Sequence, residues 1–116
     1  MKYSLFTTAN KSYYPFLDIL TTSALENCEN LEHIYVGDSG LDDFISPISK
    51  KRGVITLRPA YDEVVGEEFA GVHSKGWVAA TQLKTRMLKR LLQMIDFDHS
   101  LILIDSDVCV LKDLSE

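Results

Sequence analysis

Cysteine, proline and tryptophan are scarce in this 116-residue sequence, at two, three and one residue. Two widely separated cysteines, Cys28 and Cys109, cannot staple a disulfide-dense secreted scaffold, so the fold has to rest on an apolar core. Cys109 lies in an apolar run, and Cys28 follows the apolar-periodic stretch that ends at Leu25. The expectation is two buried free thiols in a reducing, cytoplasmic compartment. No Pro/Gly-rich linker, internal repeat or low-complexity tract divides the chain, and its length suits one domain (1–116) with a modest core. No apolar run approaches the roughly 18–20 residues that a membrane-crossing helix needs. Met1-Lys2-Tyr3-Ser4 leads only into a short apolar stretch before Thr7, Thr8 and Asn10, the pattern of a first strand and not of a secretory signal. A basic surplus is lacking too: 12 Lys and Arg against 17 Asp and Glu leave a net charge of −5. That speaks against general nucleic-acid binding. It leaves room for a phosphate ligand whose charge is balanced by a bound cation.

What is present is an ordinary globular composition, 46% hydrophobic and 25% charged, arranged in alternating strand and helix periods. Residues 3–7 are apolar and β-prone. Pro15 suits the first turn of a helix over 15–27, carried by Phe16, Leu17, Ile19, Leu20 and Leu25. Residues 33–36 read as a second strand closed by the turn-formers Gly37-Asp38-Ser39-Gly40, and 54–57 as a third. Residues 77–95 predict a long amphipathic helix, and 101–104 a fourth strand. Its unbroken apolar run suits a central strand covered on both faces. The order predicts an α/β fold with an open, mostly parallel sheet and flanking helices. The stretch 58–76 fits neither period and has the length of a binding loop or lid. Its Asp62, Glu63, Glu67 and Glu68 read as solvated surface.

Ligands of open α/β sheets bind outside the carboxyl ends of the strands. The first strand delivers Thr7, Thr8 and Asn10 to that edge, the second Asp38, and the fourth Asp105-Ser106-Asp107. Two aspartates at i and i+2 point to the same side of an extended chain. Paired hard oxygen donors suit Mg²⁺ or Mn²⁺, which keep positions open for phosphate oxygens. On the long helix, Ala80, Leu83, Met87, Leu88, Leu91, Met94 and Ile95 form one apolar arc, with Arg86, Lys89 and Arg90 opposite. Lys84 lies inside the apolar arc, where an unpaired ammonium would be costly. It stands ~16 Å up the helix from Ile95, and the strand climbs about as far to Asp105. Lys84 is therefore expected at the same edge, against a diphosphate or the site carboxylates.

These residues resemble a known family. Phe6-Thr7-Thr8-Ala9-Asn10-Lys11-Ser12-Tyr13-Tyr14-Pro15 with Thr22-Ser23-Ala24-Leu25 is similar to the opening of the family 8 (glycogenin-like) glycosyltransferases. Gln82-Leu83-Lys84-Thr85-Arg86-Met87, then Leu101-Ile102-Leu103-Ile104-Asp105-Ser106-Asp107-Val108-Cys109-Val110-Leu111-Lys112-Asp113-Leu114, resembles the family's later block, with its Asp-x-Asp motif. The likeness spans nearly the whole chain, residues 40–76 being generic. It implies the Rossmann-like, nucleotide-binding half of a GT-A fold. It also implies a nucleotide-diphospho-sugar donor, usually a UDP-sugar, transferred with Mn²⁺ or Mg²⁺ to an acceptor hydroxyl. By position, the resemblance assigns base and ribose to Thr8, Asn10 and Tyr14 with help from Asp38. It assigns ribose and metal to Asp105, and metal and diphosphate to Asp107. The diphosphate or donor sugar falls to Lys84, with Arg86 and Lys89 as alternatives. The family's metal-binding histidine has no counterpart among His33, His73 and His99.

The expectation is thus a donor-binding domain, C-terminally incomplete and inactive alone. The alternatives are a non-catalytic remnant and a module completed by a partner, such as a second copy covering an unfinished sheet. A haloacid-dehalogenase-type phosphatase, whose Asp-x-Asp normally opens its domain, is the lesser reading.

Overall fold

The computed structural model describes residues 2–59, 75–94, 98 and 100–114. In chain order these form β1 (Tyr3–Ala9), a 3-10 turn (Lys11–Tyr13), α1 (Tyr14–Asn27), β2 (Leu31–Asp38), a second 3-10 turn (Asp42–Phe44), α2 (Ile45–Ser49), β3 (Val54–Leu57), α3 (Lys75–Met94) and β4 (Ser100–Leu103). The four strands pair in parallel in the order β3-β2-β1-β4. This is the open, helix-flanked α/β sheet expected, of Rossmann-like type. Asp62, Glu63, Glu67, Glu68, His73, Ile95 and His99 lie outside the described residues. Among the described residues no helix is long and apolar enough to cross a membrane.

Local chemistry sets the element boundaries. Asn10 Oδ1 accepts the Tyr13 amide at 3.1 Å, capping the turn that leads into α1. Pro15 then occupies the first turn of α1, where its missing N–H costs no helical bond. Lys51, just before β3, donates from Nζ to Thr21 Oγ1 (2.8 Å), Thr22 Oγ1 (2.9 Å) and the Asp18 carbonyl (3.2 Å), and pairs with the Asp18 carboxylate. One ammonium thereby ties the start of β3 to α1.

Side chains of β1 alternate between two cores. Tyr3, Leu5 and Ala9 pack with Leu17, Leu20 and Ala24 of α1, and with Ile34, Val36, Leu41, Ile48 and Val54. Phe6 faces the other way and joins Tyr35 of β2 against Met87 and Leu91 of α3. Helices α1 and α3 therefore cover opposite faces of the sheet. Each large side chain so enclosed contributes roughly 1.5–3 kcal/mol.

Strand β4 departs from expectation. It is an edge of the described sheet, with Leu103 49% exposed, and β1 takes the central place. A short apolar run registers demand for burial, not position in the sheet. On α1 the buried stripe is Leu17, Leu20, Thr21 and Ala24, whereas Phe16, Ile19 and Leu25 are exposed. On α3, Leu83, Met87, Leu88 and Leu91 pack inward as the helical period requires, but Met94 is exposed. Arg90, expected in solvent, is half-buried and donates to the Arg58 carbonyl.

Past β4 the chain folds back along α1 towards the amino ends of the strands. The Val110 amide donates to Ser23 Oγ, and Asn27 Nδ2 donates to the Val110 carbonyl, both at 2.9 Å. Val108 and Val110 pack inward, which turns Cys109 outward; of the two thiols only Cys28 is buried. Asp113 accepts from the Tyr3 hydroxyl at 2.8 Å and from the Asn30 amide at 3.3 Å, and the Leu114 amide donates to the same hydroxyl at 3.2 Å.

Burial first, then hydrogen bonding to Cys28 and Asp113, pushes ionisation of the Tyr3 hydroxyl well above its ordinary range. A folded-state pKa raised in this way adds stability that is complete below the unfolded value of about 10 and is lost as pH rises towards the folded one. Tyr3→Phe is expected to cost roughly 1–3 kcal/mol at neutral pH, since it leaves Asp113 short of a donor. It should also make the alkaline loss of stability shallower. Among the described residues Tyr35, raised by burial and by Glu32, adds a second alkaline loss. Urea melts at neutral and alkaline pH test both points; unchanged midpoints throughout would remove Tyr3 as the anchor of the tail.

Candidate functional site

Strands β1, β2 and β3 step outwards in one direction. Helix α3 then carries the chain over the opposite face and sets β4 on the other side of β1. The strand order reverses between β1 and β4, and ligands of open α/β sheets bind at such a reversal, outside the carboxyl ends.

Three side chains converge there. Leu5 pairs with Ile102 and Phe6 with Leu103, and the Ile104 amide donates to the Phe6 carbonyl at 3.0 Å. Continuing that register brings Asp105 level with Thr8. From α3, Lys84 Nζ donates to Asp105 Oδ1 at 2.9 Å. The Lys84 side chain is 21% exposed and that of Asp105 77%, so the cation is held while the carboxylate stays open. This is the contact with the site carboxylates expected of the one lysine inside the apolar arc. Arg86 and Lys89 are exposed. An exposed ion pair contributes at most about 1 kcal/mol, so this one positions groups more than it holds the fold.

Asp107 is exposed beside Asp105, but not for the reason its spacing suggests. Strand β4 ends at Leu103, and Ser106-Asp107 form a turn. The same-side argument holds only for extended backbone, so the turn sets the relation of the two carboxylates. Among the described residues no group of three or more His, Cys, Asp or Glu side chains could hold a metal ion. The chain offers two hard oxygen donors and leaves other positions to phosphate and water. That donor set fits Mg²⁺ or Mn²⁺ bound together with a phosphate ligand, and not an all-protein cage.

Thr8 is half-buried on the α3 side. Thr7 is fully enclosed on the α1 side with Leu5 and Ala9, and its Oγ1 has no hydrogen-bond partner among the described residues. It faces away from the Lys84–Asp105 pair, because alternate residues of a strand cannot share a face.

Asn10, Tyr14 and Asp38 gather at the neighbouring β1–β2 end. Asp38 Oδ1 accepts the amides of Gly40 (2.9 Å) and Leu41 (2.7 Å), an Asx turn. The two loops are stitched by Ser39 N–H to the Ala9 carbonyl (3.0 Å) and Lys11 N–H to the Gly40 carbonyl (2.8 Å). Asn10 and Asp38 thus shape this edge first. The Tyr14 ring stacks on Phe44 at 4.2 Å and 13°, while Tyr13 is 40% exposed. Sequence reasoning missed both Phe44 and Tyr13. A Tyr-Tyr pair behind a capping Asn was the available sign that one ring would face out. Asp38 pairs with Ala9 across from β4, so Asp38 and Asp105 flank β1 at ~10 Å by strand spacing.

Gly37 shapes the floor between them. It pairs with Thr8, and a Cβ there would lie 2.8 Å from Thr8 Cγ2 and 3.0 Å from Met87 Cε. The missing side chain leaves room for the tip of Met87, about one turn below Lys84 on α3. Overpacking by Gly37→Ala is expected to cost about 1–3 kcal/mol in urea denaturation. Adding Thr8→Ser, which removes the nearest methyl, should recover part of the loss. An undisturbed midpoint in the single variant would mean that the close approach is not required.

Comparison with protein-family models, curated proteins and solved structures found no match, so a functional reading of this chain stands on the geometry at the β1–β4 edge.

Proposed function

We propose that this chain is the donor-binding domain of a GT-A, family 8-like glycosyltransferase. It takes a nucleotide-diphospho-sugar, a UDP-sugar by the resemblance, together with Mn²⁺ or Mg²⁺, for transfer to an acceptor hydroxyl. The observation that carries the reading is the Lys84–Asp105 pair, 2.9 Å long, at the reversal of strand order. It joins an anchored cation, open carboxylates and the strand ends where α/β sheets bind ligands.

Each residue has a task that its chemistry suits. Asp105 and Asp107 would hold the metal, whose charge, when bound, offsets that of the diphosphate as its bond to the sugar breaks. Lys84 supplies a compact point charge with three rotatable donors, suited to a phosphate oxygen. Thr8 lines the same edge and can donate a hydroxyl hydrogen. Asn10, Asp38 and the Tyr13-Tyr14 pair form the end for base and ribose, with the more open ring of Tyr13 beside the stacked Tyr14. The two ends flank β1, so one extended nucleotide diphosphate can reach both.

Calorimetric titration of UDP into the full chain, with and without Mn²⁺, tests the reading. Binding is expected to require Mn²⁺ and to weaken at least about tenfold, or 1.4 kcal/mol, in Asp107→Ala. A folded chain that binds UDP equally well without metal, or equally well in the variant, would sink the metal-site assignment. No binding at all would sink the donor domain.

A further inference from the structure

Asp105 is the carboxylate that two cations would claim. Lys84 Nζ already sits 2.9 Å from its Oδ1, and a divalent ion coordinated there would meet an ammonium at its first ligand. We infer that Lys84 is an internal counter-cation that occupies Asp105 until metal and diphosphate bind together, so that each ligand's affinity depends on the other. This rests on the donor-site reading above and adds to it an exchange of ion-pair partners. No proton moves and no covalent bond changes.

Charge supports joint binding. Two carboxylates and one ammonium sum to one negative charge. A divalent cation alone reverses that sign, a dianionic diphosphate alone triples it, and the two together restore it. A divalent cation alone would face the Lys84 ammonium, and a diphosphate alone would face two carboxylates, so each ligand relieves a like-charge repulsion that the other would meet over the few ångströms involved. Geometry supports the exchange. The Lys84 side chain is largely enclosed, one turn above the fully buried Met87, while Asp105 is 77% exposed. The stem is anchored and the ammonium has short reach, so it stays at the edge whichever anion it pairs with. A phosphate oxygen at that edge would offer Lys84 a partner of the same sign as Asp105 and would leave the carboxylate free to hold the metal.

Binding of Mn²⁺, followed by the loss of its free-ion electron paramagnetic resonance signal beyond that caused by the same UDP without protein, reads this and needs no turnover. The full chain, Lys84→Gln, Lys84→Arg and Lys89→Gln are compared with and without UDP, each shown to be folded by circular dichroism. Lys84→Gln is expected to bind Mn²⁺ alone up to about fivefold tighter than the parent, the strength of a released exposed pair. It should also lose most of the tightening that UDP confers on the parent. Lys84→Arg should keep the block. Lys89→Gln, with the same change of net charge on an exposed part of α3, should match the parent. Mn²⁺ affinity that is unchanged or weaker in Lys84→Gln, or equally raised in Lys89→Gln, overturns the exchange while the donor site stands. A parent chain that fails to bind Mn²⁺ even with UDP overturns both.

Discussion

The burial of β1 on both faces is the constraint from which the rest of this molecule follows. Tyr3, Leu5 and Ala9 need cover on one side and Phe6 on the other. Parallel strands must be joined by crossovers, and crossovers put helices on the faces. With α1 on the first face, the second can be closed only by a helix that crosses back. Helix α3 does so, and its return strand β4 has to land on the unoccupied side of β1. The reversal of strand order is therefore a product of core packing, and the candidate site is where that reversal leaves three chain ends side by side.

The same residue type meets opposite fates at the two ends of the sheet. At the amino end, Asp113 is half-buried and accepts hydrogen bonds from Tyr3 and Asn30, so its negative charge is used up in fastening the tail. At the carboxyl end, Asp105 and Asp107 stay exposed, and among the described residues only Asp105 has a cationic partner in hand. Asp38 is intermediate, with one oxygen spent on the amides of its own turn. Carboxylates that stabilise are enclosed and paired; those left open at a reversal of strand order are available to a ligand.

The sheet was legible because hydrophobic period is a direct record of burial, and the order of strand and helix then fixes a parallel topology. Lys84 was legible for a related reason: a cation out of place in an apolar arc needs a partner, and counting along helix and strand put Asp105 within reach. What was not legible shares a cause as well. The position of β4, the outward turn of Cys109, the enclosure of Thr7 and the stacking of Tyr14 on Phe44 depend on which neighbour lies across a gap. Nothing in a strand's own composition carries that information. The turn at Ser106-Asp107 escapes the i, i+2 period because extended backbone ends at Leu103.

The choice of lysine at position 84 fits a cation that must trade partners. Arginine would engage Asp105 through a rigid planar fork, whose paired bonds favour one fixed geometry. A lysine ammonium is a point charge with rotatable donors, and it can pass from carboxylate to phosphate by turning the last bonds of its chain. The apolar arc of α3 would keep the stem in place in the proposed exchange, with Met87 held close to the sheet by the absence of a side chain at Gly37. A glycine in a strand would ordinarily weaken it. Here it leaves room for the Met87 side chain one turn from Lys84, which ties the packing of the second core to the helix that carries the cation.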